Sequence, residues 1–100
     1  MPPRIIPFRF EEHIRAGSLV QVICAVGEGD SPIDIRWMLH GEEVQPSVGI
    51  FTQRFGERTS ILSINDVGSK HRGSYTCLAS NRAGVTNHTE TLFVNGRTTV

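Results

Sequence analysis

The chain has no surplus of charge. Ten acidic and ten basic residues cancel over its 100 positions, and Lys70 is the single lysine. No Lys/Arg run occurs, so nothing builds the electrostatic footprint that nucleic acid or an anionic membrane requires. No apolar stretch approaches the about 20 residues of a membrane-spanning helix. Met1-Pro2-Pro3 lacks the charged start and apolar run of a secretory leader; Met1 reads as an expression start on a module excised from a longer parent. Enzyme signatures are missing too, with no His-Glu-x-x-His, no Gly-x-Ser-x-Gly and no phosphate loop. The histidines, His13, His40, His71 and His88, fall in four separate segments without metal-ligand spacing. No catalysis, metal, cofactor or small-molecule substrate is expected.

Short strand signals separated by turn residues are what the chain does contain, and no stretch holds helical periodicity over three turns. The length suits one domain, expected over residues 1–95, with 96–100 starting a linker. Pro2 to Pro7 reads as an edge strand interrupted by prolines, which cannot donate to a central ladder. Val20, Val22, Cys24 and Val26 alternate with Gln21, Ile23 and Ala25. Ile33, Ile35, Trp37 and Leu39 form the inward set of the next strand, and His40 to Glu43 reads as a turn. Ile50–Phe55 and Thr59–Asn65 make a hairpin around Gly56-Glu57. Leu62, Ile64 and Val67 then point inward, as do Tyr75, Cys77 and Ala79. Gly84 is expected to give the following turn a permissive backbone.

Two cysteines, Cys24 and Cys77, bracket the one tryptophan, Trp37, and Tyr75 stands two residues before the second cysteine. This layout resembles the immunoglobulin-type β-sandwich, an all-β fold of two antiparallel sheets. The resemblance implies a Cys24–Cys77 disulfide between the sheets, with Trp37 packed on it and the Tyr75 hydroxyl capping backbone. It places Trp37, Tyr75, Leu62 and Ile64 in the core. A disulfide implies an oxidising compartment; two reduced core cysteines, as in muscle sarcomere modules of similar fold, are the alternative.

The runs Gly17-x-x-Val20-x-Val22-x-Cys24, Ile35-x-Trp37, Ser60-x-Leu62-x-Ile64, Gly73-x-Tyr75-x-Cys77 and Asn81-x-Ala83-Gly84 are similar to intermediate-type (I-set) domains of neural adhesion molecules. Pro2-Pro3-Arg4-Ile5-Ile6-Pro7-Phe8-Arg9-Phe10 and Gly29-Asp30-Ser31-Pro32-Ile33-Asp34-Ile35-Arg36-Trp37 sharpen the likeness to the Down syndrome cell adhesion molecule (Dscam) family. They resemble its seventh immunoglobulin domain or the first domain of shortened Dscam-like receptors. The resemblance implies an extracellular, cell-surface module of a membrane-anchored parent, able to pair antiparallel with its own copy. Two positions depart from the pattern. His71 stands where the family has Asp, which leaves Arg58 without its usual partner. Glu90 has core-facing parity, so either it lies beyond the packed core or a bulge shifts the register.

In the family's lettering, the A-B-E-D sheet exposes Ile23, Ile61 and one parity of strand D. With Phe51, Gln53 and Phe55 outward, two rings flank two isoleucines, ringed by Gln21, Gln53, Ser63 and Asn65. Contiguous exposed apolar area of this kind marks partner sites. The other parity turns a ring inward and leaves a polar face. Three functions follow: a homophilic adhesion module using A-B-E-D, a spacer that binds nothing, or a heterophilic module using Met38 and Leu78 of the C-F-G sheet. Asn87-His88-Thr89 is an N-glycosylation acceptor if the domain is secreted, and a glycan there discourages contact at that edge.

Overall fold

The computed structural model describes residues 1–45 and 49–95; the expected linker, 96–100, lies outside them, as does Pro46, which by sequence limits the segment after the His40–Glu43 turn. Alternating β-branched and polar residues suit half-buried strands. Among the described residues these are β1 (Arg4–Ile6), β2 (Val20–Glu28), β3 (Asp34–Leu39), β4 (Glu42–Glu43), β5 (Ile50–Phe55), β6 (Thr59–Ile64), β7 (Gly73–Asn81) and β8 (Gly84–Leu92). They form two four-stranded antiparallel sheets, β1-β2-β6-β5 and β4-β3-β7-β8. The segment read as a plain turn is a tight hairpin. His40 and Gly41 both take positive φ, 53° and 84°, the backbone that matches strand twist in a two-residue loop. Glu42–Glu43 then pairs back on Met38–Leu39.

A period of two in the sequence becomes two inward faces. Val20, Val22, Cys24 and Val26 of β2 are buried, and so are Ser60, Leu62 and Ile64 of β6 and Tyr75, Cys77 and Ala79 of β7. Cys24 and Cys77 are joined across the sheets, their Cα atoms 6.4 Å apart. Trp37 is opposite Cys77 in the β3–β7 ladder, and its buried indole Nε1 donates to Ser60 Oγ at 3.0 Å. That bond satisfies both polar groups within the apolar layer. Phe8 meets Trp37 edge-on, with ring centroids 5.3 Å apart.

The lower end is fixed by Tyr75, whose hydroxyl donates to the His71 carbonyl oxygen at 2.6 Å. A 3-10 turn, Ser69–His71, presents that carbonyl. His71 is itself buried, and its Nδ1 accepts the Gly68 N–H at 2.9 Å, so a backbone-capping imidazole occupies the place of the family's acid. Arg58 lies near the opposite end and donates to a backbone acceptor, the Gly29 carbonyl oxygen, at 2.8 Å. Gly73 opens β7 at φ 149°, and a Cβ there would collide with the His40 imidazole. Gly84 does not take a left-handed backbone. Its turn is instead held by Asn81 Oδ1, which accepts the N–H groups of Ala83 and Gly84.

No bulge shifts the register at Glu90. The β7–β8 ladder runs without a register break from Gly73↔Leu92 to Asn81↔Gly84. Glu90 keeps core-facing parity opposite Tyr75 yet remains partly exposed. Its side chain sits at the last strand of the sheet and stays about a third exposed. There it meets His88 Nε2 at 3.0 Å. The same nitrogen lies 3.0 Å from the Phe8 carbonyl oxygen; with two acceptors in reach, Nε2 carries the proton.

Candidate interaction surface

Among the described residues, four of the eight exposed large apolar side chains, Ile6, Ile23, Phe51 and Phe55, lie together on the outward side of β1-β2-β6-β5. Strand D parity is decided by the β5–β6 ladder, where Phe51 is opposite Ser63, Gln53 opposite Ile61 and Phe55 opposite Thr59. The β2–β6 ladder continues these pairs to Gln21, Ile23 and Ala25. Three transverse rows result: Gln21-Ser63-Phe51, Ile23-Ile61-Gln53 and Ala25-Thr59-Phe55. Ile23, Phe51 and Phe55 are 50%, 48% and 51% exposed, so both rings face solvent and Ile50 alone on β5 is buried. Ile61 and Ser63 are half-buried between neighbours, and Gln21 Nε2 donates to Ser63 Oγ at 3.1 Å. Asn65 follows β6 on an exposed bend.

Sequence reasoning missed Ile6. It pairs with Ala25 and is 52% exposed, extending the apolar set across all four strands. The signal was available: Ile5 and Ile6 are adjacent in an extended segment, so one must face out. Ile6, Gln21, Ile23, Ala25, Phe51, Gln53, Phe55, Thr59, Ile61 and Ser63 are all non-ionisable; the charges on this sheet's β1 edge are the exposed Arg4 and Glu28, paired at 3.7 Å. Arg54, of the opposite parity, reaches the rim and donates to the carbonyl oxygens of Ile33 and Glu57, at 2.6 Å each.

The opposite sheet presents a different surface. Arg36 donates to Asp34 at 2.8 Å, and that bond and the carboxylate's charge raise the guanidinium further above its ordinary value. Met38 and Leu78 are half-buried rather than prominent. Thr76 and Thr89 share a hydroxyl bond of 2.7 Å, and Asn87 is exposed on β8. Among the described residues no group of three or more His, Cys, Asp or Glu could hold a metal ion.

A model of the immunoglobulin domain matches residues 2–81. The chain belongs to the immunoglobulin domain family. Within it, the domain is 37% identical over 95% of its length to cell adhesion molecule Dscam1 of Drosophila melanogaster. It is 38% identical over 94% of its length to human cell adhesion molecule DSCAML1. It spans only 5% and 4% of those two proteins. The crystal structure of the Dscam1 Ig7 domain, isoform 5, superposes with a TM-score of 0.90 at 38% identity, covering 94% of this chain and 97% of that one. The immunoglobulin domain is thus similar throughout to Dscam-family domains. In the family's letters β1-β2-β6-β5 is A-B-E-D and β4-β3-β7-β8 is C′-C-F-G.

Proposed function

We propose that the domain is an extracellular module of a membrane-anchored adhesion receptor and pairs with a second copy of itself through A-B-E-D faces. The observation that carries this reading is the uncharged apolar patch on that face. A homophilic pair is isologous, so the patch must complement itself. Its rows favour one placement. Phe51 and Phe55 lie about 14 Å apart along β5, each about 7 Å from the Ile23-Ile61-Gln53 row. A two-fold axis along that middle row lays Ile61 on Ile61 of the copy and each Phe51 on the copy's Phe55, with strands antiparallel. Any other axis across the strands leaves a ring without an apolar partner.

The patch covers about 14 Å along the strands and about 14 Å across four of them. That is small beside the about 800 Å² per partner of a stable complex, so a single pair is weak. Many copies on apposed membranes supply avidity. Sedimentation equilibrium tests the reading. The wild type should show reversible dimers at high micromolar concentration, Ile61→Asp should be a folded monomer, and Met38→Asp should dimerise like the wild type. A strictly monomeric wild type refutes it and favours a spacer; a dimer broken by Met38→Asp and not by Ile61→Asp moves the interface to the C-F-G sheet.

A further inference from the structure

We infer that Asn87 carries an N-linked oligosaccharide that lies across the outward face of the C′-C-F-G sheet, making the domain one-faced. This rests on the extracellular reading above. Asparagine is disfavoured inside strands, yet Asn87 sits near the middle of the nine-residue β8. Thr89, two residues on, completes the acceptor tripeptide and shares the outward parity.

The ladders give the modification its consequence. Asn87 is opposite Leu78, and Leu78 is opposite Arg36, so these three form a transverse row across the sheet. Cross-strand neighbours have Cβ atoms about 5 Å apart, which puts the first sugar against Leu78. Arg36 is two strands away, about 10 Å, within the span of the linked core sugars. Around this row Ser74, Ser80 and Thr91 offer hydroxyls, Leu78 and the 65% exposed Val85 offer apolar patches for sugar rings, and the Arg36–Asp34 ion pair at its far end is already satisfied. Asn87 and Thr89 point away from the Phe8 segment that lies beside inward-parity His88, so outer branches extend over the sheet's outward side.

The chemistry is amide glycosylation by a lipid-pyrophosphate-linked oligosaccharide. A bond forms between Asn87 Nδ2 and the anomeric carbon, the bond from that carbon to the pyrophosphate oxygen breaks, and one amide proton is released. The face that carried Met38 and Leu78 is then screened, whereas Ile23, Ile61, Phe51 and Phe55 on the far sheet stay bare.

The test is secretion of the whole chain, behind a cleavable leader, from a eukaryotic cell, with intact mass measured before and after peptide N-glycosidase treatment. The expected result is one glycan on the wild type, conversion of Asn87 to aspartate on release, and none on Asn87→Gln or Thr89→Ala. Secreted wild type with unmodified Asn87 overturns the inference. Translation into microsomes reports glycan addition without secretion: a glycosylated chain retained by cells refutes the extracellular assignment while supporting the Asn87 assignment. Hydroxyl-radical footprinting then tests coverage. Labelling of Met38 and Leu78 should fall several-fold with the glycan present, with Ile23 and Phe51 unchanged. Equal labelling of Leu78 with and without the glycan contradicts its placement over the sheet.

Discussion

Tyr75→Phe removes one oxygen from a side chain with no exposed surface, and with it the 2.6 Å bond to the His71 carbonyl oxygen. An orphaned buried acceptor costs about 1–3 kcal/mol, so the variant should be about 2 kcal/mol less stable at neutral pH. The same burial gives the loss a pH signature. Desolvation pushes the hydroxyl from its ordinary 10.0 up to about 12, because the phenolate would have to form without water. A group whose folded value is raised stabilises fully below its unfolded value and loses that contribution as pH rises through the folded one. The wild type should therefore lose stability from about pH 10 upward, at about 1.4 kcal/mol per pH unit, and about 2–3 kcal/mol in all. Tyr75→Phe has no such proton to release, so the two stability curves should converge towards about pH 12. Urea unfolding from pH 8 to 11.5 measures both curves, and tyrosinate absorbance of the native protein reports this one group, since the chain has a single tyrosine. Equal alkaline losses in the two proteins, or native absorbance titrating at the ordinary tyrosine value, would refute the reasoning.

Removing the cross-link as Cys24→Ala/Cys77→Ala frees a loop closed over 53 residues and should lower stability by about 4 kcal/mol, read as a shift in urea midpoint; an unchanged midpoint contradicts it. Ser60→Ala leaves the buried Trp37 N–H without its acceptor and should cost about 1–3 kcal/mol. The single tryptophan makes its fluorescence the probe, and a wild-type unfolding curve would show that the indole bond contributes nothing. Since the three central rows of the A-B-E-D face carry no charge and the Arg4–Glu28 pair lies at its β1 edge, self-association should change less than about two-fold between 50 and 500 mM salt; a steep salt dependence would place charged groups in the contact.

The frame was readable because its signals are covalent or strictly periodic. Two cysteines, one indole and one tyrosine at fixed offsets locate both inward faces, and the alternation Val20-Val22-Cys24-Val26 can satisfy only one side of a sheet. Strand β5 was not readable in the same way. Ile50-Phe51-Thr52-Gln53-Arg54-Phe55 has apolar residues of both parities, and only pairing Ile50 with the buried Ile64 decides which rings face out. Glu90 and His71 were opaque for another reason. Glu90 is accommodated through His88, whose imidazole binds a carbonyl 80 residues away in sequence, and His71 caps a glycine amide that has no side chain to signal it. Contacts assembled by tertiary folding leave no periodic trace, and Arg58, matched to a partner at the wrong end of the sandwich, shows the same limit.

The self-pairing of the A-B-E-D face is tested most directly by mixing Ile61→Lys with Ile61→Glu. With residue 61 on the two-fold axis, each variant alone sets like charges against each other and should sediment as a monomer, while the mixture should form a mixed dimer. A mixture that stays monomeric beside a dimeric wild type, or lone variants that dimerise unimpeded, would contradict the proposed axis.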